Sequence, residues 1–244
     1  MRLKHITFTG IDVKTDVRSL REIQKEFPLA EFGVLASYTW YENGNRFLAP
    51  SGIDRLRSAS RQTPLNLSLH LCGKAAHDAA MGDWNDINEL TIDNLHIFKR
   101  VQLNLVGRQD NPEYCWIPQV MGQELIIQQK ALPEPTLYQS TVKHWSDKPF
   151  PHRDTISVLF DPSGGRGIES PLKIYPSAEK TGYAGGIGPD NVADKLSFLL
   201  SNHTEGDFWI DMESGVRTND WFDLNKVHAL LRTCREVIKE HHPF

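Results

Sequence analysis

The chain has 244 residues, 39% hydrophobic and 24% charged, enough apolar material for one buried core. A formal charge of −4 gives no basic field for nucleic acid. No run approaches the roughly 20 apolar residues that cross a bilayer, so no membrane association is expected.

In chain order, His5–Thr9 reads as a first strand, followed by a helix from about Thr15 to Phe27 with Asp16 or Thr15 as its cap. Phe32–Ser37 is a second strand, and a long polar loop containing Trp40 and Tyr41 leads to a helix near Ile53–Ser60. Asn66–Cys72 is a third strand, whose alternation puts Ser68, His70 and Cys72 on one face and Leu67, Leu69 and Leu71 on the other. Lys74–Arg100 is helical with polar interruptions, Val101–Val106 is a fourth strand and Glu124–Gln129 a fifth. Thr136–His144 is compatible with a helix, and Ile156–Asp161 is a sixth strand that ends in a Gly-rich turn. Two more strands fall within Thr181–Arg217, around an amphipathic segment Val192–Leu200 for which Asp190 reads as the cap, and Leu224–Lys239 is the last helix.

Eight strand-length runs alternating with helical patterns predict parallel strands joined by crossovers, in a single domain spanning residues 1–244. No GxGxxG follows the first strand, which argues against a doubly wound open sheet, and polar residues and glycines recur at strand ends. The expected fold is therefore a single (β/α)8 TIM barrel.

Cys72, Cys115 and Cys234 lack any CxxC pair and read as reduced thiols. The ten histidines form no HExxH pattern, so no metal and no cofactor are expected. The N-terminus enters a strand without a signal-peptide core, so a cytoplasmic protein is expected. Oligomeric state is open, with a homodimer as one option.

Thr181–Arg217 holds two strand-to-loop transitions, Gly185-Gly186 after Tyr183-Ala184 and Ser214-Gly215 after Asp211. Glycine lets backbone amides approach an anion, and loops after the last two barrel strands are where a phosphate site forms. A phosphorylated small-molecule ligand is the expected partner. Gly185-Gly186 read alone would only make a turn.

Ala184–Val192 and Asp211–Val216 resemble the "AGG-x-xP-x-NV" and "D-x-x-SGV" segments of phosphoribosylanthranilate isomerase. Weaker matches follow along the chain: Phe8–Asp12, Asn45–Pro50, Val101–Leu105 and Leu159–Asp161. The resemblance implies a barrel of the ribulose-phosphate-binding type that catalyses an aldose–ketose or Amadori-type isomerisation. It implies Asp161 as general acid, Arg46 as a substrate contact and the segment holding Arg166 as a loop near the substrate. The family's catalytic cysteine falls on Thr9, whose hydroxyl has no ionised form near neutrality. His70 and Cys72, on one strand face, are the replacement candidates for the base, with Asp12 a third.

Asn104, Gln128 and Glu213 stand near strand ends as candidates to bind a polar substrate, and Arg217 joins Arg166 as a candidate anion contact. Two other readings stay open: a phosphate-ligand-binding barrel without catalysis, and an aldolase or lyase using Lys130 or Lys74 as a Schiff-base lysine.

Overall fold

The computed structural model describes residues 2–39, 45–61, 63–91, 93–105, 123–130, 156–174 and 180–241. Trp40, Tyr41, Cys115 and the candidate helix Thr136–His144 lie outside these residues.

Eight parallel strands close into a barrel in sequence order, β8 returning to pair with β1. They are β1 Arg2–Thr9, β2 Ala30–Ala36, β3 Leu67–Cys72, β4 Arg100–Asn104, β5 Glu124–Gln129, β6 Ile156–Phe160, β7 Lys180–Tyr183 and β8 Asp207–Met212. Among the described residues the α-helices are α1 Val17–Glu26, α2 Pro50–Ser60, α3 Lys74–Ala80, α4 Asn85–Leu90, α5 Val192–Asn202 and α6 Leu224–His241. The predicted (β/α)8 TIM barrel is the fold.

Most local departures have simple causes. Asp16 caps α1 by accepting from the amides of Arg18 and Ser19. Helix α2 begins at Pro50, which fits the first helical position, so it starts before the predicted Ile53. The span read as one interrupted helix from Lys74 breaks into α3, α4 and a short 3-10 turn, with Gly82 in the left-handed region just past α3. Asp190 is not the cap of α5. That position is Asn191, whose carboxamide accepts from the amide of Gly188 (2.9 Å) and donates to the carbonyl of Gly186 (2.9 Å), bracing the β7 loop.

The pleat sorts each strand into two sets. Ile6, Phe8, Phe32, Val34, Leu67, Leu69, Leu71, Val101, Leu103, Phe208 and Ile210 join helix residues such as Leu20, Ile23, Ile53 and Leu230 in the main core. The alternate residues turn toward the barrel axis, where Ile126, Leu159, Ala184 and Trp209 form a small second cluster and most of the remainder are polar. Across this interior Arg100 on β4 grips Glu31 on β2 with two donors, Nη2–Oε1 at 2.6 Å and Nε–Oε2 at 2.9 Å. Thr7 adds a hydroxyl to the same carboxylate at 3.0 Å, and the Arg100 guanidinium lies 4.4 Å from the Trp209 ring. Burial alone would push Glu31 up; the charges of Arg100 and His5 and these hydrogen bonds outweigh it and hold the carboxyl at about 2. A desolvated, bidentate pair therefore plugs the barrel below the site.

Among the described residues no helix is long and apolar enough to cross a membrane.

Candidate active site

The inward-facing ends of the strands and the loops after them enclose a polar cleft of about 490 Å³, part of it open to solvent. Its floor is Thr9 on β1, His70 on β3, Gln102 and Asn104 on β4, Gln128 on β5 and Asp211 on β8. The loops after β6, β7 and β8 form its wall, with Asp161, Gly185, Gly186, Ser214 and Gly215 among the lining residues.

Asp211 dominates the electrostatics. Burial, reinforced by the charge of Glu213, outweighs a 2.7 Å hydrogen bond from the Thr9 hydroxyl and raises its carboxyl to about 7. His70 Nδ1 stands 4.0 Å from its other oxygen, while His70 Nε2 is 3.1 Å from the Ser68 hydroxyl. Burial lowers His70 to about 3, so its ring is neutral at physiological pH. Near neutrality, Asp211 is thus the group of this cluster poised between its protonated and ionised forms.

Gly33 on β2 makes the cluster fit. A Cβ there would lie 2.4 Å from Thr9 Oγ1, 3.0 Å from Thr9 Cα and 3.1 Å from His70 Nε2. Gly33→Ala is therefore expected to cost about 1–3 kcal/mol through overpacking against backbone that cannot withdraw. Urea unfolding of the variant measures this, and an unchanged midpoint would contradict the packing described.

The loop glycines meet closely. A Cβ on Gly186 would strike backbone atoms of Glu169 and Ile168, and one on Gly215 would lie 2.4 Å from the Ile187 carbonyl oxygen. Among the described residues, nothing accepts a hydrogen bond from the amides of Gly185, Gly186, Ile187, Ser214 or Gly215, all five in the lining of the cleft. Unsatisfied amides on glycine-rich turns are what an anion requires.

Other predicted site residues divide. His70, Asn104, Gln128, Asp161, Gly185, Gly186, Ser214 and Gly215 come together in the cleft. Asp161 accepts from Gln128 Nε2 (2.7 Å), from the Ser163 hydroxyl (2.6 Å) and amide (3.0 Å), and from the Gly165 amide, so it anchors the β6 loop as well as facing the cleft.

Cys72 lies outside the lining, beside its β4 register partner Asn104, whose Nδ2 is 3.2 Å from its sulfur; burial pushes the thiol up to about 12, so it offers no thiolate. Asp12 is likewise buried outside the cleft, tying Arg217 and the Phe222 amide. Arg46 is taken up by Glu213 (2.8 Å), which lines the cleft, and by Asp220 (2.8 Å), and is not itself in the lining. Arg166 is exposed and donates to the Ser163 carbonyl (2.8 Å). Arg217 ties the carbonyls of Gly10, Asn45 and Asp220 together as a structural clasp. Lys130 packs against Gly164, and Lys74 pairs with Asp78 at 2.5 Å on the surface; neither lines the cleft.

Two features of the site stand outside the sequence-based expectations: Gln102 as a lining residue and Asp211 as a titrating group. Strand parity carries a signal for both, since Gln102 is two residues before Asn104, and Asp211 is two after the inward Trp209.

No protein-family model matches the sequence, and no curated protein sequence matches it significantly. Among solved structures, N-(5'-phosphoribosyl)anthranilate isomerase from Pyrococcus furiosus is similar at 14% identity over 95% of this chain and 98% of its own, with a TM-score of 0.50. A phospho-2-dehydro-3-deoxyheptonate aldolase from Thermotoga maritima is similar at 10% identity over 98% of this chain and 70% of its own, with a TM-score of 0.57. Likeness at such identities is one of fold: it establishes the barrel and does not place the chain in the isomerase family.

Proposed function

We propose that the protein is an isomerase of phosphorylated sugars that moves a proton between adjacent carbons by general acid–base chemistry. The observation that carries this reading is a single cleft holding both a carboxyl poised near neutrality, Asp211, and a wall of unsatisfied loop amides suited to a phosphate. The similarity in shape to a phosphoribosylanthranilate isomerase agrees with it at the level of fold.

The lining favours a polyhydroxylated substrate over one carrying an aromatic ring. Three carboxamides, Gln102, Asn104 and Gln128, face the cleft, and among the described residues no Phe, Tyr or Trp side chain does. Gln102 Oε1 is buried without a partner, ready to accept from a substrate hydroxyl.

With the phosphate held by the β7 and β8 loops, ionised Asp211 removes the proton from the carbon beside the carbonyl, and the electron pair moves onto the carbonyl oxygen as an enediolate. Neutral donors, Asn104 and His70 among them, stabilise that oxygen. Asp211 then returns its proton to the neighbouring carbon, while a hydroxyl proton passes between the two oxygens. Thr9 is not the base; its hydroxyl holds Asp211 in place.

The test is turnover of a panel of aldose phosphates, with phosphoribosylanthranilate generated in situ and followed by its fluorescence. Conversion of an aldose phosphate is expected; phosphate-competitive binding without conversion of any member would favour the non-catalytic barrel. Gly215→Ala, whose Cβ would enter the Ile187 carbonyl, is expected to raise KM for the phosphorylated substrate by about tenfold or more with a smaller change in kcat. An unchanged KM would contradict the phosphate assignment.

A further inference from the structure

A second concavity lies between α1 and α2 beside the β1 loop and shares no residue with the cleft. It holds about 990 Å³ of free space open to solvent. Lys14, Arg18, Arg21 and Arg55 line it, together with Ser58 and the half-exposed Val13.

These cations are not neutralised internally. Among the described residues none of the four has a carboxylate oxygen within 4.0 Å. Arg21 and Arg55 donate to the carbonyls of Ala59 and Val13, and the Lys14 ammonium sits 3.3 Å over the Trp221 ring, so these three are positioned by neutral groups. The acid in the lining, Asp16, directs its oxygens to the Arg18 and Ser19 amides and the Ser19 hydroxyl as the cap of α1. Four cations without an ion pair, set against the single carboxylate of Asp16 that attracts Arg18, give the groove a local positive field in a chain of net charge −4.

The occupant follows from size and field. The lining residues come from both α1 and α2, and the open space between them exceeds what a single ion fills. The negative charge of the whole protein repels a long polyanion such as nucleic acid, while a short segment feels chiefly the local cations. We propose that this groove binds an extended acidic segment of a partner protein, whose carboxylates meet Lys14, Arg18, Arg21 and Arg55.

The experiment measures fluorescence anisotropy of a fluorescein-labelled peptide of alternating glutamate and serine, titrated with the full chain at low and at physiological salt. Saturable binding that weakens with salt is expected, and Arg18→Glu with Arg55→Glu is expected to weaken it by about tenfold or more. Lys25→Glu, on α1 outside the groove, should change it by no more than about twofold. Circular dichroism confirms that the double variant is folded. Equal binding of a glutamine–serine peptide, equal binding by the double variant, or binding of inorganic tripolyphosphate with none of the acidic peptide would each overturn the proposal.

Discussion

Asp211→Asn is expected to lower kcat for a phosphorylated sugar by about 10²–10⁴-fold while leaving the fold intact, the range over which a positioned acid–base group contributes. The carboxamide keeps the shape and can still accept the Thr9 hydrogen bond, so the loss reports proton transfer rather than packing. The pH profile supplies a second reading. With the carboxyl raised to about 7 by burial, the ionised fraction, and with it proton abstraction, rises as pH increases through about 7. Wild-type kcat/KM should therefore climb across that range, and the variant's residual rate should not. Thr9→Val, which deletes the one hydroxyl bonded to Asp211, should shift the inflection upward, because that bond favours the ionised form.

Arg100→Met carries the largest expected effect on stability. It strips Glu31, buried on the barrel axis, of its bidentate partner, and breaking such a pair costs about 3–5 kcal/mol. Adding Glu31→Leu removes the orphaned charge and should recover most of the loss, because an apolar replacement of both partners fills the same space beside Trp209. The pH dependence has a definite sign. The folded-state value of Glu31 is depressed to about 2 from 4.5, so its contribution is complete above about pH 4.5 and is lost as pH falls toward 2. Urea unfolding at pH 7 and pH 3 measures this: the wild type should weaken in acid by more than the double variant does.

Residues of the barrel and its cleft differ in how plainly the amino-acid sequence displays their roles. Strand β5 matches the predicted Glu124–Gln129, and the alternation of β3 puts Ser68 and His70 on the inward face, because strand period and burial are local properties. Gly185, Gly186, Ser214 and Gly215 are legible for the same reason, since a close backbone approach leaves glycine in the sequence. The Glu31–Arg100 pair joins residues 69 apart and becomes visible only when the barrel closes. Asp211 stands within a recognisable motif, but its titration depends on depth of burial and on Thr9, 202 residues away. The loop positions of Arg46 and Arg166 suggest substrate contacts, yet loops do not disclose which carboxylate or carbonyl takes the guanidinium. Cys72 shares its strand face with His70, yet its sulfur is taken up by Asn104 and lies outside the cleft lining.

The most direct test is exchange in D2O. The protein is incubated with an aldose phosphate that it binds, and NMR reads deuterium at the carbon beside the carbonyl. Incorporation is expected with the wild type, faster above pH 7 than below it, and almost none with Asp211→Asn. Incorporation that persists undiminished in Asp211→Asn, or a bound sugar phosphate whose protons never exchange, would contradict it.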